Sequence, residues 1–224
     1  MILYLRGGLG NQMFIYGAFL TLENQGSNVK LNGSVGFIAD KQYHRTLQLQ
    51  FFFNVNCRLE YSLLELFFYK LLVKIGDGKK FINHNLDYYQ SSRWLLPLRE
   101  MTPYRRQKRT VVHLRLKDYN LSFTRSFDKL ISSTMLELKN ECYLVTDDYD
   151  LAKREFPLIA SKAELFSSTE IEDFRFIAES SHVVLSDSSF SFTAAFIGPR
   201  KTIYYPALTN INLDEKADHK WIKL

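Results

Sequence analysis

From residue 109 onward, short apolar runs alternate with helix-length segments, and that alternation leaves few architectures open to the chain. The runs are 110–116 (TVVHLRL), 142–146 (CYLVT), 163–166 (AELF), 182–186 (HVVLS) and 201–205 (KTIYY), the last read as the final strand. Between them, 128–139, a short stretch ending at Phe156, 169–180 and 189–197 read as helices. Thr169, with Glu172 three residues on, forms a capping box that marks where one of them starts. Strands that are apolar almost throughout are covered on both faces. Strands separated by helices pair in parallel. The expected fold class is therefore α/β. In such sheets ligands sit beyond the carboxyl ends of the strands, so the residues just after each run carry the functional reading.

The first half is less regular. Residues 1–5 (MILYL) read as a buried strand, 10–24 as a helix, 29–31 as a second strand, and 61–75 as a helix closed by Gly76, Asp77 and Gly78. The stretches 35–56 and 83–103 show no clear period. A break near 97–109 divides the chain into an expected N-terminal lobe, 1–104, and a C-terminal lobe, 105–224.

Composition narrows the class. At 224 residues, 46% hydrophobic and 24% charged, the chain has ample core material, which excludes disorder and collagen-like repeats. The net charge of +5 suits an anionic partner, but the charge is spread out, with no basic stripe or aromatic platform for nucleic acid. Cys57 and Cys142 make neither a disulfide framework nor a zinc site. They read as free, buried thiols of a reducing compartment. Arg6 and the glycines after it interrupt the N-terminal apolar stretch before any signal-peptide core forms, and no run is long enough to span a bilayer. A cytoplasmic protein is expected. Residues 61–75 (YSLLELFFYKLLVKI), with Lys70, Lys74, Lys79 and Lys80 in or just after them, fit either a core helix or a helix on an anionic membrane surface.

Four segments carry chemistry. Residues 6–12 (RGGLGNQ) follow the first strand and precede a helix. Gly7, Gly8 and Gly10 let backbone approach a ligand, and Asn11 and Gln12 place amide groups in the turn. The segment is neither a Walker A loop nor the GxGxxG fingerprint. Residues 113–119 (HLRLKDY) set His113 and Arg115 on one face of a strand, and Arg115 suits a phosphate through its rigid fork of donors. Residues 146–148 (TDD) end the next strand. Asp147 and Asp148 could bind a metal, accept from a base edge or cap the following helix. Residues 186–192 (SDSSFSF) put hydroxyls and backbone N–H groups at a helix start, which suits an anion and also an ordinary serine cap. No Ser-His-Asp arrangement is evident.

Together and in this order, these segments resemble glycosyltransferase family 11, the α-1,2-fucosyltransferases. Residues 7–12 match the family's Gly-Gly-Leu-Gly-Asn-Gln opening. His113, Arg115, Asp118 and Tyr119 match its His-x-Arg-Arg-x-Asp-Tyr motif. Residues 146–148 match its Ser/Thr-Asp-Asp stretch, and 186–191 its Ser-Asn-Ser-Ser-Phe-Ser segment, with Asp187 in place of Asn. The end of the chain, 205–224, is also similar. Leu116 stands where the family has a second arginine and Lys117 where it has glycine. The chain is short for the family, with the deficit between the first two segments.

The resemblance implies a GT-B-like fold: two Rossmann-like lobes with a cleft between them. It implies inverting, metal-independent transfer of fucose from GDP-fucose, with no cofactor, to a galactose-containing glycan such as a bacterial O-antigen or capsule repeat, with peripheral contact at the inner membrane. In that scheme Arg115 stabilises departing GDP, and His113 contacts the diphosphate or the sugar. One of Asp147 and Asp148 accepts from guanine. Gly8 and Gly10 belong to the donor cradle, and Ser188, Ser189 and the backbone of Phe190 hold the pyrophosphate. Asn11 touches the fucose or the acceptor hydroxyl, and Asp118 is the candidate base. Two other readings stand beside it: a transferase using another nucleotide sugar, and a non-catalytic homologue that holds a nucleotide or glycan.

Overall fold

The computed structural model describes the whole chain except residues 42, 76–79, 82–83, 86–87, 118–123, 139 and 206–210, and the side chains of 75, 80–81, 84–85, 124–127 and 136–137. The chain divides into two compact units, Met1–Thr102 with Asn212–Glu215, and Pro103–Ile211 with Lys216–Leu224. Four residues near the C-terminus thus belong with the first half. Their anchor is Asp214, whose carboxylate accepts from the Ser91 hydroxyl at 2.5 Å, the Ser92 hydroxyl at 2.9 Å and the Arg93 N–H at 3.1 Å.

Unit 1 contains β1 (Ile2–Tyr4), α1 (Leu9–Asn24), β2 (Lys30–Asn32), α2 (Val35–Ala39), α3 (Leu63–Ile75), β3 (Lys80–Phe81), β4 (His84–Asn85) and α4 (Leu96–Met101). Its sheet runs β2-β1-β4-β3, parallel on both sides of β1 and antiparallel at β3–β4. Helix α1 is buried over most of its surface because Leu9, Met13, Phe14, Ile15 and Tyr16 meet neighbours on several sides. It closes on the 3₁₀ turn Ser92–Leu95 at Gly17, where any Cβ would stand 1.9 Å from the Trp94 carbonyl oxygen. The irregular stretches of the sequence resolve into α2, two 3₁₀ turns and α4, all too short to show a period.

Unit 2 contains β5 (Gln107–Leu114), α5 (Thr124–Leu138), β6 (Glu141–Thr146), α6 (Tyr149–Glu155), α7 (Pro157–Lys162), β7 (Glu164–Leu165), α8 (Glu170–Glu179), β8 (Ser180–Val184), α9 (Ser189–Ile197), β9 (Thr202–Tyr205) and β10 (Lys220–Lys223). Every expected strand and helix of this half is present. The capping box holds too: Thr169 accepts from the Glu172 N–H at 3.3 Å, and the Glu172 carboxylate accepts in return from the Thr169 N–H. The sheet has six strands, all parallel, in the order β10-β9-β8-β5-β6-β7. Counted from β5, this is the 3-2-1-4-5-6 order of dinucleotide-binding domains. The sheet does not end with 201–205 as the sequence suggests. The run KWIK adds β10, an edge strand bounded by two lysines, a composition that marks a protected edge and not a buried run.

One apolar cluster under unit 2 joins Val112, Leu114, Leu116, Ile131, Met135, Leu144 and Ile159. Asp128 lies at the margin of that packing, buried, and holds the start of α7 by accepting from the N–H groups of Leu158 at 3.1 Å and Ile159 at 2.9 Å. Cys57 and Cys142 are free, as expected, but half-buried and not fully enclosed. Burial pushes both thiols above their usual range.

Candidate functional site

In unit 2 the strand order reverses at the β5–β8 pair: the chain builds outward from β5 to β6 and β7, then returns to β8 on the other side. In sheets of this order the loops leaving the carboxyl ends diverge at the reversal, and ligands bind between them. Three of the four chemistry-bearing segments leave the sheet at this edge. Leu114 pairs with Thr146 and Val112 with Val184, so 115–117, 147–148 and 185–188 emerge from three adjacent strands.

β5 ends at Leu114, earlier than the apolar run 110–116 suggests. The cause is Asp147. Its carboxylate accepts from the Leu116 N–H at 2.7 Å and the Lys117 N–H at 3.4 Å, replacing ladder bonds with a side-chain brace. Leu116 turns inward and joins the apolar cluster, while Lys117 is exposed. Arg115, between them, is half-buried directly past the strand end. Asp148 caps α6, accepting from the Leu151 N–H at 2.9 Å. Of the alternatives open to the acid pair, helix capping is therefore realised by Asp148. A second backbone role, holding the neighbouring loop, falls to Asp147. Each carboxylate retains lone pairs for a further donor.

His113 is buried, its Nδ1 2.9 Å from the Ser186 hydroxyl and its ring 5.6 Å from that of Phe190. Burial first, and the positive charge of Arg115 second, push its pKa down to about 3. The imidazole is neutral at physiological pH and supplies no charge to a phosphate. It joins the end of β5 to the loop after β8. Ser186 is thus a positioning residue that the sequence left unassigned. Its sequence signal was its place at the end of an apolar run and at the head of the 186–192 segment, neither of which points to His113.

Helix α9 starts at the same edge of the sheet, after the loop that leaves β8. Ser188 is its N-cap residue in extended backbone, yet the hydroxyl makes no capping bond. Among the described residues, the Ser188 and Ser191 hydroxyls are buried without a hydrogen-bond partner. Ser189 and Phe190 are half-buried in the first turn. Uncapped N–H groups and a partnerless buried hydroxyl at a helix N-terminus suit an anion that accepts from both. The half-buried guanidinium of Arg115, past the neighbouring strand end, adds full positive charge to the same sheet edge.

Unit 1 carries the remaining segment. Gly7 takes φ +75°, which favours glycine, and Gly8 precedes α1 without a side-chain cap. Gly10 is buried in the first turn. Gln12 is wholly buried and structural: it donates to the carbonyls of Gly7 at 3.0 Å and Thr46 at 2.9 Å and accepts from the Gln48 N–H at 2.9 Å. Asn11 is half-buried and accepts from the Gln90 side chain at 2.9 Å. Arg6 lies over the Tyr88 ring at 4.1 Å. His44 and Tyr89, near this turn in unit 1, both hold positive φ without being glycine, a strain often found beside ligand sites.

Asp118 and Tyr119 lie outside the described residues. Among the described residues, no group of three or more His, Cys, Asp or Glu side chains is placed to hold a metal ion, and no helix is long and apolar enough to cross a membrane.

No family model matches the chain, and no curated protein matches it. Among solved structures, E. coli heptosyltransferase WaaC with ADP is similar at 11% identity and a TM-score of 0.38, with 99% of this chain and 90% of that one covered. The same enzyme with ADP-2-deoxy-2-fluoro heptose is similar at 11% identity and a TM-score of 0.43, with 99% and 92% covered.

Proposed function

We propose that the chain is a nucleotide-sugar-dependent glycosyltransferase, and specifically an inverting α-1,2-fucosyltransferase that uses GDP-fucose. The observation that carries the reading is the meeting of three motif segments at the strand-order reversal of unit 2, around an uncapped helix start with a partnerless buried hydroxyl. In this reading the two units are the acceptor and donor lobes of a GT-B-type enzyme.

The pyrophosphate sits on the first turn of α9, accepting from the Ser188 hydroxyl and the backbone N–H groups of Ser189 and Phe190. Arg115 faces the β-phosphate. As the bond from the anomeric carbon to GDP breaks, negative charge grows on that phosphate, and a preorganised guanidinium stabilises the transition state more than the ground state. Neutral His113 holds Ser186 and, through it, the loop that leads to α9. Asp147 or Asp148 accepts from the guanine N1–H and N2–H₂ with the lone pairs its backbone bonds leave open. Asn11, with Gly8 and Gly10 at the α1 turn, meets the fucose or the acceptor hydroxyl. That hydroxyl forms the new bond and gives its proton to a base, for which Asp118 is the candidate. The acceptor is a galactose-containing glycan.

Thermal unfolding with GDP, UDP, ADP and no nucleotide, in EDTA, tests the reading. GDP at about a hundred times its Kd adds roughly 2.7 kcal/mol, a rise of about 5–10 °C for a chain of this size. A rise with UDP or ADP and none with GDP would move the assignment to another nucleotide sugar. No rise with any of the three would overturn donor binding.

A further inference from the structure

Helix α3 has two apolar stripes, and the fold uses one of them. On the inner side Tyr69 and Leu72 are buried with Tyr4 and Val35, and Leu66 packs against the same cluster. The Tyr4 and Tyr69 rings lie 5.2 Å apart. The outer side repeats the helical spacing i, i+3, i+4, i+7 with Leu64, Phe67, Phe68 and Leu71. These four are 66%, 63%, 49% and 41% exposed, and Leu63 beside them is 82% exposed. Leu59 and Tyr61, on the approach to the helix, are exposed too. A contiguous exposed apolar ridge of this kind marks an interaction surface.

The charges beside the ridge identify its partner. Lys70 and Lys74, four residues apart, lie exposed along one flank of the outer stripe. Among the described residues, of the acids near the helix Glu65 is turned to the packed side and paired with Arg58, and Glu60 before the helix is exposed. The cores of protein interfaces are depleted in lysine. A helix lying in a bilayer interface has the opposite composition: leucine and phenylalanine below, and lysines at the edge, whose stems reach up to anionic headgroups.

We infer that the outer face of α3 docks the protein on an anionic lipid surface, with Leu64, Phe67, Phe68 and Leu71 entering the headgroup boundary and Lys70 and Lys74 facing the phosphates. The docking is independent of which nucleotide unit 2 binds.

Co-sedimentation of the full chain with vesicles tests it, comparing phosphatidylcholine alone with phosphatidylcholine mixed with phosphatidylglycerol. The chain pellets with the mixed vesicles and stays in solution with the neutral ones. Lys70→Glu or Lys74→Glu weakens partitioning about fivefold for each charge removed, before any added repulsion. The variant Leu64→Ser/Phe67→Ser/Leu71→Ser abolishes it, with the unfolding temperature held or raised, because all three side chains are exposed in the free protein. Equal binding to both vesicle types, or none to either, overturns the inference. So does light scattering that finds a lipid-free dimer which the triple variant dissolves, since the face would then belong to a second copy.

Discussion

The two units solve the same problem, covering a sheet built on parallel strands, in different ways, unit 1 with an antiparallel pair at its edge. Unit 2 spreads six strands and buries helices against them, and its loops are tied together at the carboxyl edge by Asp147, Ser186 and His113. Unit 1 centres a four-stranded sheet on one three-residue strand and leaves half of α3 facing outward. The contrast teaches where rigidity is used. Positioning a diphosphate requires fixed donors, since small misplacement of a catalytic group is costly. A surface that meets a bilayer needs only area and charge.

The largest effect expected from that division concerns Arg115. Arg115→Ala lowers kcat about a hundredfold or more, the range for removing a preorganised donor, while the unfolding temperature stays near that of the parent. A variant with near-parental activity would take the leaving-group chemistry away from unit 2.

Next come the braces. Asp128→Ala removes the acceptor of the Leu158 and Ile159 N–H groups and leaves the second of them buried and unpaired, at a cost of about 2 kcal/mol in urea unfolding. Asp214→Ala in unit 1 removes three bonds, yet costs less, about 1 kcal/mol, because Asp214 and the Arg93 N–H are exposed and the buried Ser91 and Ser92 hydroxyls can rotate to other acceptors. Equal losses would show that the surface brace of unit 1 holds as much as the buried one.

The remaining effect is a pH slope. His113 is held neutral in the fold, with its pKa near 3, and titrates near 6.5 once unfolded. Its contribution is complete above about pH 6.5. It is lost as pH falls towards 3, because only the unfolded state takes up the proton there. The slope approaches about 1.4 kcal/mol per pH unit. Half-buried His182, lowered by burial and by Arg106, adds in the same sense. Urea midpoints at pH 7 and pH 5 should converge less for parent and His113→Gln at pH 7 than at pH 5. Parallel shifts would mean that His113 accepts a proton in the folded state.

Unit 2 was legible because its signals are local. A β-branched run such as 110–116, the capping box at Thr169 and the cap at Asp148 each lie within a few residues. What stayed hidden depends on distance. Ser186 meets His113 across 73 positions, and Asp147 meets Leu116 across 31. No spacing rule reaches that far. β3 and β4, two residues each, are below the length at which a period exists. Helix α3 was ambiguous for a physical reason: its two apolar stripes read as one long apolar run until packing separates them.

Because Asp147 grips main-chain N–H groups, its hold is indifferent to which side chains the gripped residues carry. Exposed Lys117 can be exchanged while the loop keeps its path and Arg115 its station, whereas Leu116 is held a second time, by its side chain in the apolar cluster. The loop's shape therefore depends on the acid that holds it more than on the exposed side chain it carries.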